Sequence, residues 1–471
     1  MHLRFNLIIL LFLLSFNIFS SPVIEINSNE GLNDYLSHSP FNGVVLVSKN
    51  NEIILKKAFG YKNLKTQIPL TIDDKFQIGS NTKQFVAASI LKLQEEGRLK
   101  LDDEISNYIP ALKNLVSIKI KDILNHTSGI TNYTNHEEFW KDLDYNKILT
   151  LDDIIEFTLK YPLDFTPRSK WNYSNSGYIM AGKIIEALTG KSWDQYIKDN
   201  FLIPLQMDNT GYSEYFDQVS DVSGHINQND ELAQFSELNL SWALSAGALY
   251  STVDDLNKWM DIYELSPVLS NESIRQMQTP FLANYGLGLE ILPFYSDIKI
   301  SHGGRTIGFV SQLSYLKNSK LKVITLDNVD GAFSQINELL LTFYSQGKAT
   351  AIKFTPYNLD PQMLNDYVGK YKSSSMEFDV FVENGNLFLK PNDGQPAYLL
   401  KANDKDSFNL EGFAGEEFIR NEKNIVVGIK HYQGGGITLF DKINSEVTQD
   451  LKNIKLNFIQ KTIIKFKSLN K

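Results

Sequence analysis

The stretch Phe76–Ile90, "FQIGSNTKQFVAASI", places Ser80 and Lys83 three residues apart where an apolar run begins. Gly79 suits a tight strand-to-helix turn. From Phe85 to Leu91 the sequence "FVAASIL" is almost wholly apolar and rich in small residues, the pattern of a helix buried on all sides. Residues i and i+3 share a helix face, so Ser80 and the Lys83 amine can meet. A lysine at the start of a buried helix is costly unless paired or neutral, and a neutral amine beside a hydroxyl can activate it. Helix N-terminal N–H groups would also suit a developing oxyanion. Taken alone, the stretch equally fits a Ser80 or Asn81 helix cap with an exposed Lys83.

Strand patterns lie on both sides of this helix at long range. "FNGVVLVSKNNEIILKKAFGYKN" predicts a hairpin turning at Lys49–Glu52, and "GFVSQLSYL" and "KLKVITLDN" predict a second one around Lys317–Ser319. Most segments between Ser80 and Leu256 carry helical spacing. In "SNSGYIMAGKIIEALTG", Tyr178, Ala181, Ile185 and Leu188 recur at that spacing and Gly190 ends it. "FSQINELLLTFYSQG" predicts an amphipathic helix closing at Gly347. The economical arrangement is α+β: one antiparallel sheet from both chain ends, with packed helices and a helical insert between. A cleft between sheet and insert is the natural site.

After a linker at 351–361 the sequence turns strand-like. In "MEFDVFVENGNLFLK", Met376, Phe378, Val380 and Val382 alternate and Asn384-Gly385 marks a hairpin. Residues 362–441 are expected to form a small all-β barrel or sandwich. The tail 442–471 holds seven lysines, with Leu451, Ile454 and Phe458 near one helical face. It suits a terminal helix docked on its own domain with a solvated lysine face, or else contact with an anionic membrane surface.

The ends and the composition bound the function. Residues 1–20 have an export-signal pattern: His2 and Arg4, the apolar run Leu7–Leu14, then small residues with cleavage after Ser20. An uncleaved signal anchor is the alternative. The chain is 471 residues long, with a net charge of −9 and no cysteine. That leaves no global basic field for nucleic acid, no thiol chemistry and no disulfide. The surroundings of His136, "NHEEF", fit no zinc spacing, so no metal is expected.

Two further segments could carry chemistry. In "SKWNYSNSGYIMAG", Tyr173 and Asn175 flank Ser174 before a helix. A tyrosine hydroxyl could relay protons and an asparagine amide could hold a carbonyl; helix capping with Tyr173 as packing is the plain alternative. In "ISHGGRTIGF", His302 ends a β-run and Gly303 and Gly304 would allow close approach of a ligand; a β-bulge with a surface histidine is the alternative. His126 in "LNHTSGI" is expected to bond locally and hold the Thr127–Gly129 turn, because no Gly-x-Ser-x-Gly elbow accompanies it.

The order and separations of these three segments, with "EEGRLKLDDEISNYIP", "PLQMDNTGY" and "YGLGLEI", make the chain resemble the serine β-lactamase-like, penicillin-recognising superfamily over about residues 30–350. It is most similar to the branch of class C β-lactamases, D-alanyl-D-alanine carboxypeptidases, D-aminopeptidases and esterases. The resemblance implies a hydrolase domain over 22–350 with Ser80 as acylated nucleophile, Lys83 as its base partner and Tyr173 as proton relay. It also implies Asn175, His302, Gly303, Gly304 and Arg305 around the substrate, with the Ser80 and Arg305 N–H groups as oxyanion hole. No cofactor is implied, and the partner is a small-molecule or peptide substrate. Histidine stands at 302 where many relatives have lysine, which implies a charge dependent on pH. Arg305 is expected either to read a substrate carboxylate or to contribute only its N–H group.

Overall fold

The computed structural model describes residues 22–443 except 114–116, 144–146, 229–230, 236–238, 331–334, 375, 393–396, 411–413 and 434–435. The expected export signal, and the Lys-rich tail beyond its first two residues, lie outside the described residues. The chain divides into two compact units, one spanning Glu25–Ala351 and one holding the residues from Ile352 onward.

The first unit is built on a six-stranded antiparallel sheet. Its strands are β1 (Gly43–Lys49), β2 (Glu52–Phe59), β3 (Glu290–Phe294), β4 (Asp297–Thr306), β5 (Phe309–Leu316) and β6 (Leu321–Asp327), in the order β3-β4-β5-β6-β1-β2. The two chain ends meet where β6 pairs with β1, with Ile324 opposite Leu46. That junction is dictated by sequence: Val44–Val47 is apolar at every position, which only a strand covered on both faces tolerates. The β1–β2 turn is Asn50-Asn51, both in the left-handed region (φ +52° and +65°), which asparagine accepts more readily than other side chains. At the other edge, β3 covers β4 only as far as Ser301.

Four helices position the rest: α1 (Thr82–Glu95), α2 (Asn175–Thr189), α3 (Val253–Met260) and α4 (Gln335–Gln346). Every residue from Thr82 to Leu91 is buried, which explains the run of small and apolar side chains. Phe85 stacks on Trp259 of α3 at 3.7 Å, tying α1 to its neighbour. Gly190 ends α2 at φ +69°, its N–H donating to Glu186 O. Asn337 of α4 donates to the carbonyls of Gln312 and Val323, fixing that helix on the opposite sheet face. The helices between β2 and β3 share one continuous core with β1, so the insert is not a separate folding unit.

The second unit is a closed barrel of β7 (Gly369–Lys372), β8 (Glu377–Glu383), β9 (Asn386–Pro391), β10 (Tyr398–Asp404), β11 (Ser407–Leu410), β12 (Ala414–Arg420), β13 (Val426–Gln433) and β14 (Gly436–Lys442). Closure comes from β7 pairing with β14. Alternate residues such as Phe378, Val380, Leu387, Leu389, Phe418 and Phe440 fill its core. Asn384-Gly385 supplies the left-handed hairpin turn its sequence calls for. Strand structure persists to Ile352, so only 353–360 of the expected linker lacks a regular element.

One ion pair is buried in the barrel. Glu416 and His431 face each other across β12 and β13 at 2.6 Å, Glu416 having no exposed surface. Burial raises the Glu416 carboxyl, partly offset by His431. Burial pulls His431 down, but the Glu416 charge and hydrogen bonds outweigh it, leaving the imidazole raised. Both groups therefore hold protons more tightly folded than unfolded. Their stabilisation is full below the unfolded values and is lost as pH rises through the folded ones. The protein is expected to melt at a higher temperature at pH 6 than at pH 8.5. Calorimetry of the full chain beside the double variant Glu416→Gln/His431→Gln checks this: with both titrating groups gone the variant should lose that pH dependence, and an unchanged slope contradicts the assignment.

Candidate active site

The turn Ile78–Asn81 is held by two partners at once. Gly79 has φ +52°, and a Cβ there would lie 2.4 Å from Arg305 N, so both backbone conformation and space require glycine. Ile78 N–H donates to Leu249 O, and Thr82 Oγ1 donates to Gly79 O at 2.8 Å. Asn81 Nδ2 donates to Ser311 Oγ, which donates to Ile78 O, each at 2.7 Å. These bonds staple the turn to β5 and present Ser80, half-buried, at the N-terminal end of α1.

Lys83 is fully buried beneath Ser80. Its Nζ lies 3.0 Å from Ser80 Oγ, 2.7 Å from Asn175 Oδ1 and 2.7 Å from Ala246 O. The rings of Tyr173 and Tyr178 approach it at 4.8 and 5.3 Å. Burial holds this amine well below its ordinary range. Asn175 Oδ1 and Ala246 O only accept, so each takes an N–H bond of the amine, and the third direction on Nζ faces Ser80 Oγ.

Tyr173 donates its hydroxyl to Ser80 Oγ at 2.7 Å. Burial raises the phenol far above its ordinary value, with the Ser80 hydrogen bond opposing this only in part. The resting phenol is therefore protonated, and Tyr173, Ser80 and Lys83 form one hydrogen-bonded chain that meets at Ser80 Oγ. Asn175 opens α2, with its N–H on Asn132 Oδ1 and its Nδ2 on Thr134 Oγ1, both at 3.0 Å. Its amide is thus oriented from the 132–134 loop and holds Lys83. Asn132, Thr134 and Ala246 are contributors that sequence reasoning missed. The first two look like ordinary turn residues, and a carbonyl oxygen carries no side-chain signature.

The 302–305 segment holds the remaining candidates. His302 is buried, with Nδ1 2.6 Å from Gly303 O and Nε2 2.8 Å from the Tyr285 hydroxyl. The carbonyl can only accept, so Nδ1 carries the proton and Nε2 accepts from Tyr285. Burial, with Lys83 nearby, lowers the imidazole to about 3, so the expected positive charge is absent at neutral pH. The missing Gly304 Cβ faces protein: it would fall 1.9 Å from Ile78 O. Gly303 likewise faces Gln312 Oε1, 2.7 Å from its missing Cβ. The Arg305 guanidinium pairs with buried Asp330, its Nε and one terminal nitrogen donating to Oδ2 at 3.0 and 2.9 Å. Its backbone stays against Gly79, beside Ser80.

His126, expected to hold its own turn, instead reaches the irregular segment that carries Tyr173, with Nδ1 accepting from Ser174 N–H at 3.2 Å. Arg168, in the left-handed region at φ +68°, donates its N–H to Thr127 O and pairs with buried Asp122 at 2.5 Å.

Known proteins share this architecture. The chain is 28% identical to the "Putative penicillin-binding protein PbpX" of Bacillus subtilis (strain 168) over 328 residues, 68% of this chain and 80% of that one. The octameric penicillin-binding protein homologue from Pyrococcus abyssi superposes with a TM-score of 0.61 at 23% identity, covering 88% of this chain and 98% of that one. A D-amino acid amidase from Ochrobactrum anthropi SV3 gives 0.56 at 23% identity, over 63% and 89%. The Beta-lactamase family profile matches residues 37–325, well over half of the sequence. The chain belongs to the Beta-lactamase family.

Proposed function

We propose that the protein is an exported serine hydrolase that cleaves amide or ester substrates through an acyl-enzyme on Ser80. The observation that carries this is the hydrogen-bonded chain Tyr173–Ser80–Lys83, with the buried Lys83 amine also held by Asn175 Oδ1 and Ala246 O. Ser80 Oγ attacks the carbonyl carbon while its proton passes to the Lys83 lone pair. The N–H groups of Ser80 and Arg305 receive the developing oxyanion. As the carbonyl–leaving-group bond breaks, Tyr173 gives its proton to the departing nitrogen or oxygen and is resupplied from Lys83. Water then attacks the acyl carbon, returns one proton to the relay and frees Ser80. Export rests on the apolar N-terminal segment and on the relatives named as penicillin-binding proteins.

The neutral, doubly bonded His302 offers no charge to a carboxylate, and the exposed Arg305 guanidinium already shares its charge with Asp330. D-amino-acid amides and small acyl esters are therefore preferred over β-lactams, and the fold shared with a D-amino acid amidase supports the amide branch. A panel of nitrocefin, p-nitrophenyl esters and D-amino-acid amides, run beside Ser80→Ala, tests this. Turnover of esters or amides that vanishes in the variant is expected. Nitrocefin as the best substrate would make the protein a β-lactamase, and a burst without turnover would make it a penicillin-binding protein.

A further inference from the structure

His126 is a buried imidazole that the mechanism above leaves unused. It has φ +62° and 1% exposure, and its Nε2 has no hydrogen-bond partner. It grips residue 173 from both sides. The His126 carbonyl accepts from Asn172 N–H at 3.0 Å, and the His126 Nδ1 accepts from Ser174 N–H at 3.2 Å. Its ring lies against the Tyr173 ring at 4.3 Å and 39°, with Tyr285 at 4.7 Å behind. Beyond that ring, the Tyr173 hydroxyl reaches Ser80 Oγ at 2.7 Å.

We infer that His126 is a positioning residue for Tyr173, whose Nδ1 acceptor fixes the Ser174 peptide and so aims the tyrosine hydroxyl at Ser80. The inference rests on the proton-relay role proposed for Tyr173. Only the neutral Nε2–H tautomer can serve, since a charged ring would donate from both nitrogens and lose the acceptor. Burial keeps the ring neutral by lowering its pKa well below the ordinary value. The segment 164–174 is docked on the same turn elsewhere, by Asp164 N–H on Gly129 O and Arg168 N–H on Thr127 O. Loss of the imidazole acceptor should therefore displace the tyrosine without unfolding the loop. A displacement of this kind is felt in catalysis far more than in substrate affinity.

The test separates acceptor from ring, and His126 from Tyr173. His126→Asn puts an amide oxygen where Nδ1 stands and tolerates the left-handed backbone. His126→Phe keeps a ring and has no acceptor. His126→Gln, whose amide reaches past that position, replaces the Phe variant should that fail to fold. Acylation rate and KM are read on a p-nitrophenyl ester, with each change made in the parent and in Tyr173→Phe. Expected are a fall of about 100-fold for Tyr173→Phe, about 30- to 100-fold for His126→Phe with KM within about threefold, and retention within about tenfold for His126→Asn. His126→Phe should cost nothing more in the Tyr173→Phe background. Full activity in His126→Phe, or losses that multiply in the double variant, overturns the inference while leaving the relay standing. Full activity in Tyr173→Phe overturns the relay and the inference with it.

Discussion

Ser80→Ala should leave the protein folded and remove its acyl-enzyme altogether. Ser80 is only half-buried and its side chain is small, so deleting the oxygen opens no large cavity and the melting temperature should move little. The chemical loss is of another order. Without Oγ, Tyr173 and Lys83 lose the atom on which their hydrogen bonds converge. A fall in kcat of about 10⁴-fold or more is expected, with no mass increase after incubation with a fluorophosphonate. The residual rate should come from the oxyanion site and from substrate binding alone. Labelling that survives the substitution at the parent's rate sinks the assignment of Ser80.

Lys83→Met is the second large effect. The side chains are similar in length, but methionine cannot bond to Asn175 Oδ1 and Ala246 O, which now receive the amine. Leaving such acceptors unpaired costs roughly 1–3 kcal/mol each, set against the relief of no longer burying an amine. A modest net change in stability is expected, while acylation falls by about 10³-fold or more. The pH dependence carries the sharper signature. The Lys83 pKa is lowered on folding, so the unfolded chain binds the extra proton and the parent's stability rises with pH between the folded and unfolded values. Activity should rise along the same limb as the amine loses its proton. Lys83→Met should flatten the stability slope across that window, as seen by denaturant titration at several pH values. An unaltered slope would mean that Lys83 is charged in the folded protein.

Much of this architecture is legible in the sequence, for identifiable reasons. Apolar strands at both chain ends and a buried small-residue helix leave few ways to assemble a sheet. The Asn50-Asn51 and Asn384-Gly385 turns announce themselves through residues that tolerate left-handed backbone. Ser80 and Lys83 are visible because their spacing is local to one helix turn. What sequence does not reveal is where long side chains point once elements pack. Arg305 lies beside the nucleophile in backbone only, because strand alternation carries its guanidinium to Asp330. The state of His302 depends on Tyr285, seventeen residues away along the chain, and on complete burial. Gly304 signals close approach correctly but not what approaches: the neighbour is the Ile78 carbonyl. The role of His126 needs the Asn172 and Ser174 amides to arrive from a distant loop, which no local pattern specifies.

The closure of the C-terminal barrel has a consequence for recognition. With β7 hydrogen-bonded to β14, its ladder has no terminal strand on which a visiting peptide could extend the sheet. Its interior is filled by aromatic and aliphatic side chains. Among the described residues, a molecule that engages the barrel would read the outward-facing alternate side chains, so its specificity would lie in surface chemistry rather than in main-chain pairing.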